Sequence, residues 1–296
     1  MKSIWFTDLH IHNYKRFDVN GSRLKNCLSV LDDVFEAAEE MDALEIFHAG
    51  DLFDQQKHLP TVVINETVKK FTELFLKYPD ILFISISGNH DFATKNLYNQ
   101  QGVSAQEFLA TIFQNFVLLD NDFIDTGSKK VHGVPYYEYA QDFYKAIEGV
   151  EADILMIHNT PEGITNKNIH TDFDPKVLDR FPRVMCGHIH DRQVIRKGFT
   201  ILGTPLHRDL GDVGQQKGIY VYDSEEDKLQ FCPLEYPEFG YDNESEFYVE
   251  EVFIEETDEV DTTKFSTQNS PLELMTNFIE QIKEDNELIK TGQRCL

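Results

Sequence analysis

The sequence predicts an α/β domain followed by an acidic extension, and three observations carry that reading. Short apolar, β-prone runs recur along the chain, each ending where a block of polar residues begins. Segments with apolar residues at steps of three and four lie between the early runs. Near Tyr236 and Pro237 the composition turns acidic and aromatic, which divides the chain into a main domain over 1–236 and an extension over 237–296. At 296 residues, 41% of them apolar and 12% aromatic, the chain is long and hydrophobic enough for a large core, which excludes a disordered protein.

The expected strands are Ser3 to Thr7, Leu44 to His48, Ile81 to Ile86, Ile154 to Ile157 and Val184 to Cys186. Leu24, Cys27, Leu28, Leu31, Val34, Phe35, Ala38 and Met41 mark a helix with one buried stripe between the first two. A second helix starts near Pro60, carries Val63, Val68, Phe71, Leu74 and Phe75, and stops at Tyr78-Pro79. Ser104-Ala-Gln-Glu107 reads as a capping box opening a shorter helix. After His190 the pattern changes to short strands at Gln193 to Ile195, Phe199 to Leu202, Gly218 to Tyr222 and Leu229 to Cys232, read as a meander. Ser270-Pro271-Leu272-Glu273, followed by Met275, Phe278, Ile279 and Ile282, predicts a final amphipathic helix. That helix is expected to pack back on its own domain, with docking on a partner as the alternative.

Composition limits the function. Cys27, Cys186, Cys232 and Cys295 show no CxxC spacing, so neither a disulfide framework nor a cysteine zinc cluster is expected. No apolar stretch approaches the roughly 18 residues of a membrane span, and the first residues enter a strand at once. The expectation is a cytoplasmic protein without a membrane partner. The net charge of -25 sits awkwardly with nucleic-acid binding, which usually gains from a basic field. Twelve acidic residues and no Lys or Arg fall between Glu235 and Asp261, however, so about half the excess lies outside the polar blocks.

Those blocks are Asp8-Leu9-His10, Gly50-Asp51-Leu52-Phe53-Asp54, Gly88-Asn89-His90-Asp91, Ile157-His158-Asn159 and Gly187-His188-Ile189-His190. Carboxylate, imidazole and amide oxygen are the donors that divalent cations take, and loops at the carboxyl ends of strands can bring them together. Asp51 can bridge two ions, because a carboxylate has two oxygens with lone pairs to give. Asp8, His10, Asp51 and His190 are assigned to one ion, and Asp51, Asn89, His158 and His188 to the other. His90 is left over as a candidate general acid, oriented by Asp54 or Asp91. Singly each block is a weak signal; five in order are specific.

Together they resemble the calcineurin-like metallophosphoesterases over roughly residues 3 to 205. That resemblance implies a four-layer α/β/β/α sandwich and a pair of divalent metal ions, Mn2+ first and Mg2+ as the alternative. The ligand roles are those of the matching family positions. It also implies that Asp54 and His90 form the acid dyad, with Asp91 in support. Gly50 to Asp54, Leu202-Gly-Thr-Pro205, and Gly211-Asp-Val-Gly214 followed by Lys217-Gly-Ile-Tyr220 are similar to the nuclease subunit of SbcCD-type DNA break-processing complexes, phage recombination nucleases among them. This finer likeness implies manganese-dependent exonuclease and endonuclease action on DNA in recombination, repair or replication. An SMC-like ATPase subunit of the SbcC type is the implied partner, and a homodimer the implied assembly. The chain is short for that group, and the residues after 236 spell no basic DNA-capping domain, so DNA contact would fall to the ATPase and the metals. The acidic charge favours the alternative, a phosphodiesterase or phosphatase for small molecules or phosphoproteins. A third reading, a scaffold without activity, has to leave a complete ligand set idle.

Other residues have weaker claims. His207 and Arg208 follow Thr204-Pro205 and are candidate substrate contacts, Arg208 for a phosphate oxygen. Lys15 and Arg16 are expected on a solvated face, with phosphate contact as the alternative; His12 is a loop residue or a substrate contact. His48 is expected to be a hydrogen-bonded core histidine, and His58, His132 and His170 structural or solvated. Tyr136, Tyr137 and Tyr139 are expected in core and rim packing rather than in base stacking.

Overall fold

Two six-stranded mixed sheets pack face to face, with helices on both outer faces, in a computed structural model that describes residues 1–250 apart from 17, 55–57, 93–102, 163–172 and 242–246. The first sheet draws on β1 (Lys2–Phe6), β2 (Glu45–His48), β3 (Leu82–Ser85), β4 (Phe116–Leu118), β11 (Gly218–Asp223) and β12 (Lys228–Pro233), in the order β12-β11-β1-β2-β3-β4. The second holds β5 (Phe123–Asp125), β6 (Lys130–Val134), β7 (Ile154–Ile157), β8 (Arg183–Cys186), β9 (Gln193–Arg196) and β10 (Phe199–Ile201), in the order β5-β6-β7-β8-β10-β9. Strands β1 to β4 run parallel, as do β6, β7, β8 and β10. Helices α1 (Ser22–Glu40), α2 (Thr61–Lys77) and α3 (Glu107–Ile112) belong to the first sheet's outer layer, and α4 (Ala140–Ile147) to the second's.

Alternation along each strand builds these layers, because successive side chains point to opposite faces. On β1, Ile4 and Phe6 face the helices while Trp5 faces the other sheet; on β2 the split is Ile46 against Phe47, and on β3 Phe83 against Ile84. In the second sheet, Ile154 and Met156 of β7 face inward while Leu155 and Ile157 meet the α4 side. A parallel strand covered on both faces reads as an unbroken apolar run, which is why these strands are visible in the sequence. Phe83 lies within 5.1 to 6.3 Å of the Phe71, Phe116, Phe6 and Phe35 rings, so much of the aromatic content sits under α1 and α2.

The stripe expected on α1 buries Cys27, Leu31, Val34, Phe35 and Ala38. At the capping box, Ser104 Oγ accepts from the Gln106 N–H at 3.1 Å and the Glu107 carboxylate accepts from the Ser104 N–H at 3.1 Å. The strands after His190 do not form one meander. β9 and β10 pair as a hairpin inside the second sheet, whereas β11 and β12 pair beside β1 in the first, so residues 202–217 cross between sheets. Periodicity reports that a strand is buried, not which sheet buries it. Past residue 236, β13 (Glu238–Tyr241) and β14 (Phe247–Glu250) pair as an antiparallel hairpin. The final helix predicted from Ser270 lies outside the described residues. Among the described residues no helix is long and apolar enough to cross a membrane.

Candidate metal centre

All five polar blocks follow strand ends and meet at one end of the two sheets. Asp8 and His10 follow β1, Asp51 and Asp54 follow β2, and Asn89 and His90 follow β3; His158 follows β7, and His188 and His190 follow β8. The two sheets approach closely here. A Cβ on Gly187 would stand 2.3 Å from both the Ala49 carbonyl oxygen and Thr7 Oγ1. Gly50, at φ +96°, would drive a Cβ to 2.3 Å from His158 Nδ1. Glycine is therefore required at both places, once for space and once for space and backbone conformation together.

The donor atoms face one another in two sets. In the first, His10 Nε2 lies 3.6 Å from Asp8 Oδ1, 3.6 Å from Asp51 Oδ2 and 3.2 Å from His190 Nε2. In the second, His158 Nε2 lies 3.2 Å from Asp51 Oδ2 and 3.2 Å from Asn89 Oδ1, and His188 Nδ1 lies 2.8 Å from Asn89 Oδ1. Ligand atoms about 2.1 Å from a shared ion stand roughly 3 to 3.5 Å from one another, so these spacings suit two cations. Asp51 joins the sets, as a bridging carboxylate would, through a single oxygen. Its Oδ2 faces both, while Oδ1 accepts the His90 backbone N–H at 2.7 Å.

Charge and hydrogen bonding call for cations at these positions. Asp8 Oδ1 is buried and has no hydrogen-bond partner among the described residues. The His158 Nδ1–H donates to the Ala49 carbonyl at 2.7 Å, which turns the Nε2 lone pair toward two oxygens that also only accept. Burial opposes a charge on His158, yet Asp51 and Asp8 outweigh it and lift its pKa to about 9. The arrangement thus demands positive charge between Nε2 and the carboxylate, which a divalent ion supplies. Burial pushes His188 and His190 down to about 4, helped by His158 and His10 respectively, and leaves the neutral imidazoles that metals bind. Two ions held in this cage would polarise phosphoryl oxygens and bring the pKa of a water molecule toward neutrality.

Asp54 is the hub beside this cage. Its Oδ1 lies 3.1 Å from His10 Nδ1 and 3.3 Å from His90 Nδ1, and accepts from Arg208 Nη2. His90 Nδ1 also donates to the Asp54 backbone carbonyl at 2.8 Å, so one residue fixes the ring twice. Burial would lower the His90 pKa, but the Asp54 carboxylate and then the Asp51 charge outweigh it and raise it to about 9. The Asp54 contact thus favours the imidazolium, the form able to give its proton to a leaving oxygen. Asp91 instead accepts from the backbone N–H groups of Asp51, Leu52, Phe53 and Gly88 and from Gln106 Nε2, which makes it the brace of the Asp51 turn.

The weaker candidates divide. Arg208 Nη1 lies 3.4 Å from His190 Nε2, so Arg208 stands at the centre, whereas His207 directs Nε2 to the Gln215 carbonyl at 2.8 Å. His12 is buried, bonded to the His10 carbonyl and accepting from Arg23 Nε at 2.9 Å, and burial takes its pKa down to about 4. His48 is buried against Ser85 Oγ at 2.9 Å. Tyr136 tilts against the His188 ring at 5.6 Å, and Tyr137 Oη donates to Asn121 Oδ1 at 3.0 Å. His58 is exposed, His132 half-buried, and His170 lies outside the described residues.

Sequence reasoning missed a groove of about 580 Å³ lined by Tyr14, Lys15, Arg16, Arg23, Arg208, Asp209 and Leu210. It opens beside the cage, since Arg208 reaches both Asp54 and His190. Arg23 joins it from the first turn of α1 by donating to the Arg208 carbonyl at 2.8 Å. No local signal in the sequence connects residues so far apart.

A double sandwich that presents two sets of Asp, Asn and His donors at one end of its sheets fits a two-metal phosphoesterase. Its sequence agrees: the profile of the calcineurin-like phosphoesterase family matches residues 1–192. The chain belongs to that family. No curated protein matches it significantly as a whole sequence.

Proposed function

We propose that this phosphoesterase is a DNA nuclease, the manganese-dependent nuclease subunit of an SbcCD-type end-processing complex that hydrolyses DNA phosphodiester bonds. The observation that carries the reading is the groove. In a chain of net charge -25, Lys15, Arg16, Arg23 and Arg208 gather on one surface that opens at the cage, with Asp209 the one carboxylate in its lining and Arg208 also paired to Asp54. A small ester needs one or two cationic contacts beyond the metals; a run of cations suits successive phosphates of a polyanion. Tyr14, exposed on the same groove, offers an aromatic face for an unpaired base. The Gly50 to Asp54, Leu202 to Pro205 and Gly211 to Tyr220 motifs point the same way. An SMC-like ATPase would supply the further DNA surface that the acidic segment after residue 235 does not, and a homodimer would present two such sites.

An end-labelled duplex incubated with Mn2+ tests this, with and without a co-expressed SMC-like ATPase, beside a chromogenic phosphodiester. Cutting of the duplex, strengthened by the ATPase, is expected. Hydrolysis of the small diester with an intact duplex under every condition would refute the DNA reading and leave the phosphoesterase.

A further inference from the structure

The motif Gly211-Asp-Val-Gly214 with Lys217-Gly-Ile-Tyr220 contains an ion pair that the chemistry above does not use. Lys217 and Asp212 are 6% and 3% exposed, and Lys217 Nζ stands 2.7 Å from Asp212 Oδ1. The same ammonium donates to Gln215 Oε1 at 2.7 Å and to the His190 backbone carbonyl at 2.8 Å, so its three protons all have acceptors. Asp212 Oδ2, in turn, accepts the backbone N–H of Arg208 at 2.8 Å.

These bonds tie together parts that the fold brings from different places. Lys217 immediately precedes β11 in the first sheet, His190 lies on the loop that leaves β8 in the second, and Arg208 is on the crossing segment between the sheets. The first donor set takes Asp8, His10 and Asp51 from one sheet and His190 from the other, so it needs the sheets held in register at this end. The second set is held otherwise. The His158 Nδ1–H donates to Ala49 O at 2.7 Å, and the His188 N–H donates to Asp8 Oδ2 at 2.9 Å.

We propose that Lys217, paired with Asp212, is a positioning residue that sets His190 for one ion and Arg208 for the phosphate, and leaves the second ion's cage to other contacts. The inference rests on the two-metal reading of the site and is independent of whether the substrate is DNA. A lysine that reaches a ligand through its backbone carbonyl fixes where that ligand's ring starts. Supports of this outer kind typically cost about 10- to 100-fold in metal affinity when lost.

The test is manganese binding to metal-free protein, followed by the electron paramagnetic resonance signal of free Mn2+. Lys217→Met strands a buried carboxylate, so the double variant Lys217→Met/Asp212→Asn, which leaves no orphaned charge, carries the test. Wild type is expected to bind two ions. In the double variant one dissociation constant is expected to rise about 10-fold or more while the other stays within about two-fold. A pair that merely staples the fold would lower the melting temperature and weaken both sites together, and that result, or two unchanged sites, overturns the inference. Should the double variant melt below the assay temperature, Lys217→Gln/Asp212→Asn, which likewise leaves no buried charge and lets the two side chains keep a hydrogen bond, takes its place. It is expected to show the same one-site loss to a smaller degree, and its absence overturns the inference equally. A wild type that takes up no manganese overturns both this inference and the two-metal reading, whereas a protein that binds two ions and spares DNA overturns only the proposed substrate.

Discussion

Replacing Asp54 with Asn keeps the shape of the hub and removes its charge. The Asp54 carboxylate stands 3.3 Å from His90 Nδ1, and at that separation a unit charge pair is worth about 1.3 kcal/mol in water-like surroundings and about 5 kcal/mol at an effective dielectric constant near 20. At about 1.4 kcal/mol per pKa unit, this brackets a shift of roughly one to three and a half units. The rise of His90 from 6.5 to about 9 falls inside that range. The sign follows from the role proposed for His90: a general acid must be protonated, so activity falls as pH rises through its pKa. In Asp54→Asn the alkaline limb of kcat is expected to move at least about one pH unit lower. The assay needs an alkyl leaving group, such as the sugar oxygen of an oligonucleotide, because a nitrophenolate departs without a proton. Manganese has to be saturating, since Asp54 also stands 3.1 Å from His10 Nδ1 and its loss weakens that ligand's support. An alkaline limb that stays at its wild-type position with metal saturated would refute the assignment of Asp54 as the group that holds the His90 proton.

His90→Ala is expected to lower cleavage of an alkyl-leaving-group diester about 10²- to 10⁴-fold and to affect a nitrophenyl diester far less, with two metals still bound by elemental analysis. Equal losses on both substrates would remove His90 from the acid role. Asp33 is a stability switch away from the site. Burial raises its carboxyl to about 6, while Tyr236 donates a hydrogen bond to it, so the native state holds a proton that the unfolded chain releases near 3.8. Native stability should therefore fall as pH rises through the window from about 4 to 6. Asp33→Asn, whose side-chain oxygen still accepts from Tyr236, is expected to be more stable than wild type above pH 6 by about 1 to 3 kcal/mol and indistinguishable below pH 4, as read by urea denaturation.

The core strands and first two helices were legible because each sits where one physical demand dominates. Trp5 and Phe47 face one way and Ile4, Phe6 and Ile46 the other, which leaves an apolar run no turn could imitate. Strand β5, exposed at both ends, carries no buried run to read, β4 follows closely on α3, and in β6 Gly133 and the half-buried His132 interrupt the apolar signal. The cage was legible as residue types in order but not as geometry. That one oxygen of Asp51 faces both donor sets follows from the His90 N–H taking the other, a contact across 39 residues. The groove was illegible for the same reason: Arg23 and Arg208 are 185 residues apart and meet only when α1 packs beside the crossing segment. His12 looks like an extension of the first ligand block, yet its neighbour Arg23 and the His10 carbonyl consume both ring nitrogens.

A backbone feature connects the fold to the chemistry. Asp8, His10, Asp51 and His188 have φ of 53°, 48°, 58° and 79°, in the left-handed region that costs a residue with a Cβ on the order of 1 kcal/mol. Four such residues among seven donors mean that the cage is bent away from what the chain prefers, and something other than local preference holds it. Backbone pairing continues past the strand ends: Asp8 N–H to Gly50 O at 2.9 Å, His10 N–H to Asp51 O at 2.9 Å and Ile11 N–H to Leu52 O at 2.8 Å. Asp91 gathers the amides of the Asp51 turn from below. These bonds use no donor atom of the cage, so the strain is carried by the scaffold and the carboxylates and imidazoles stay available. A site that had to be pulled together by its ions would spend their binding energy on reorganisation; a pre-bent one leaves that energy for stabilising charge on the phosphoryl group as the bond breaks. Maintaining four unfavourable backbone conformations around a buried, unbonded carboxylate oxygen gains nothing for a scaffold without activity, and that asymmetry weighs for an enzyme.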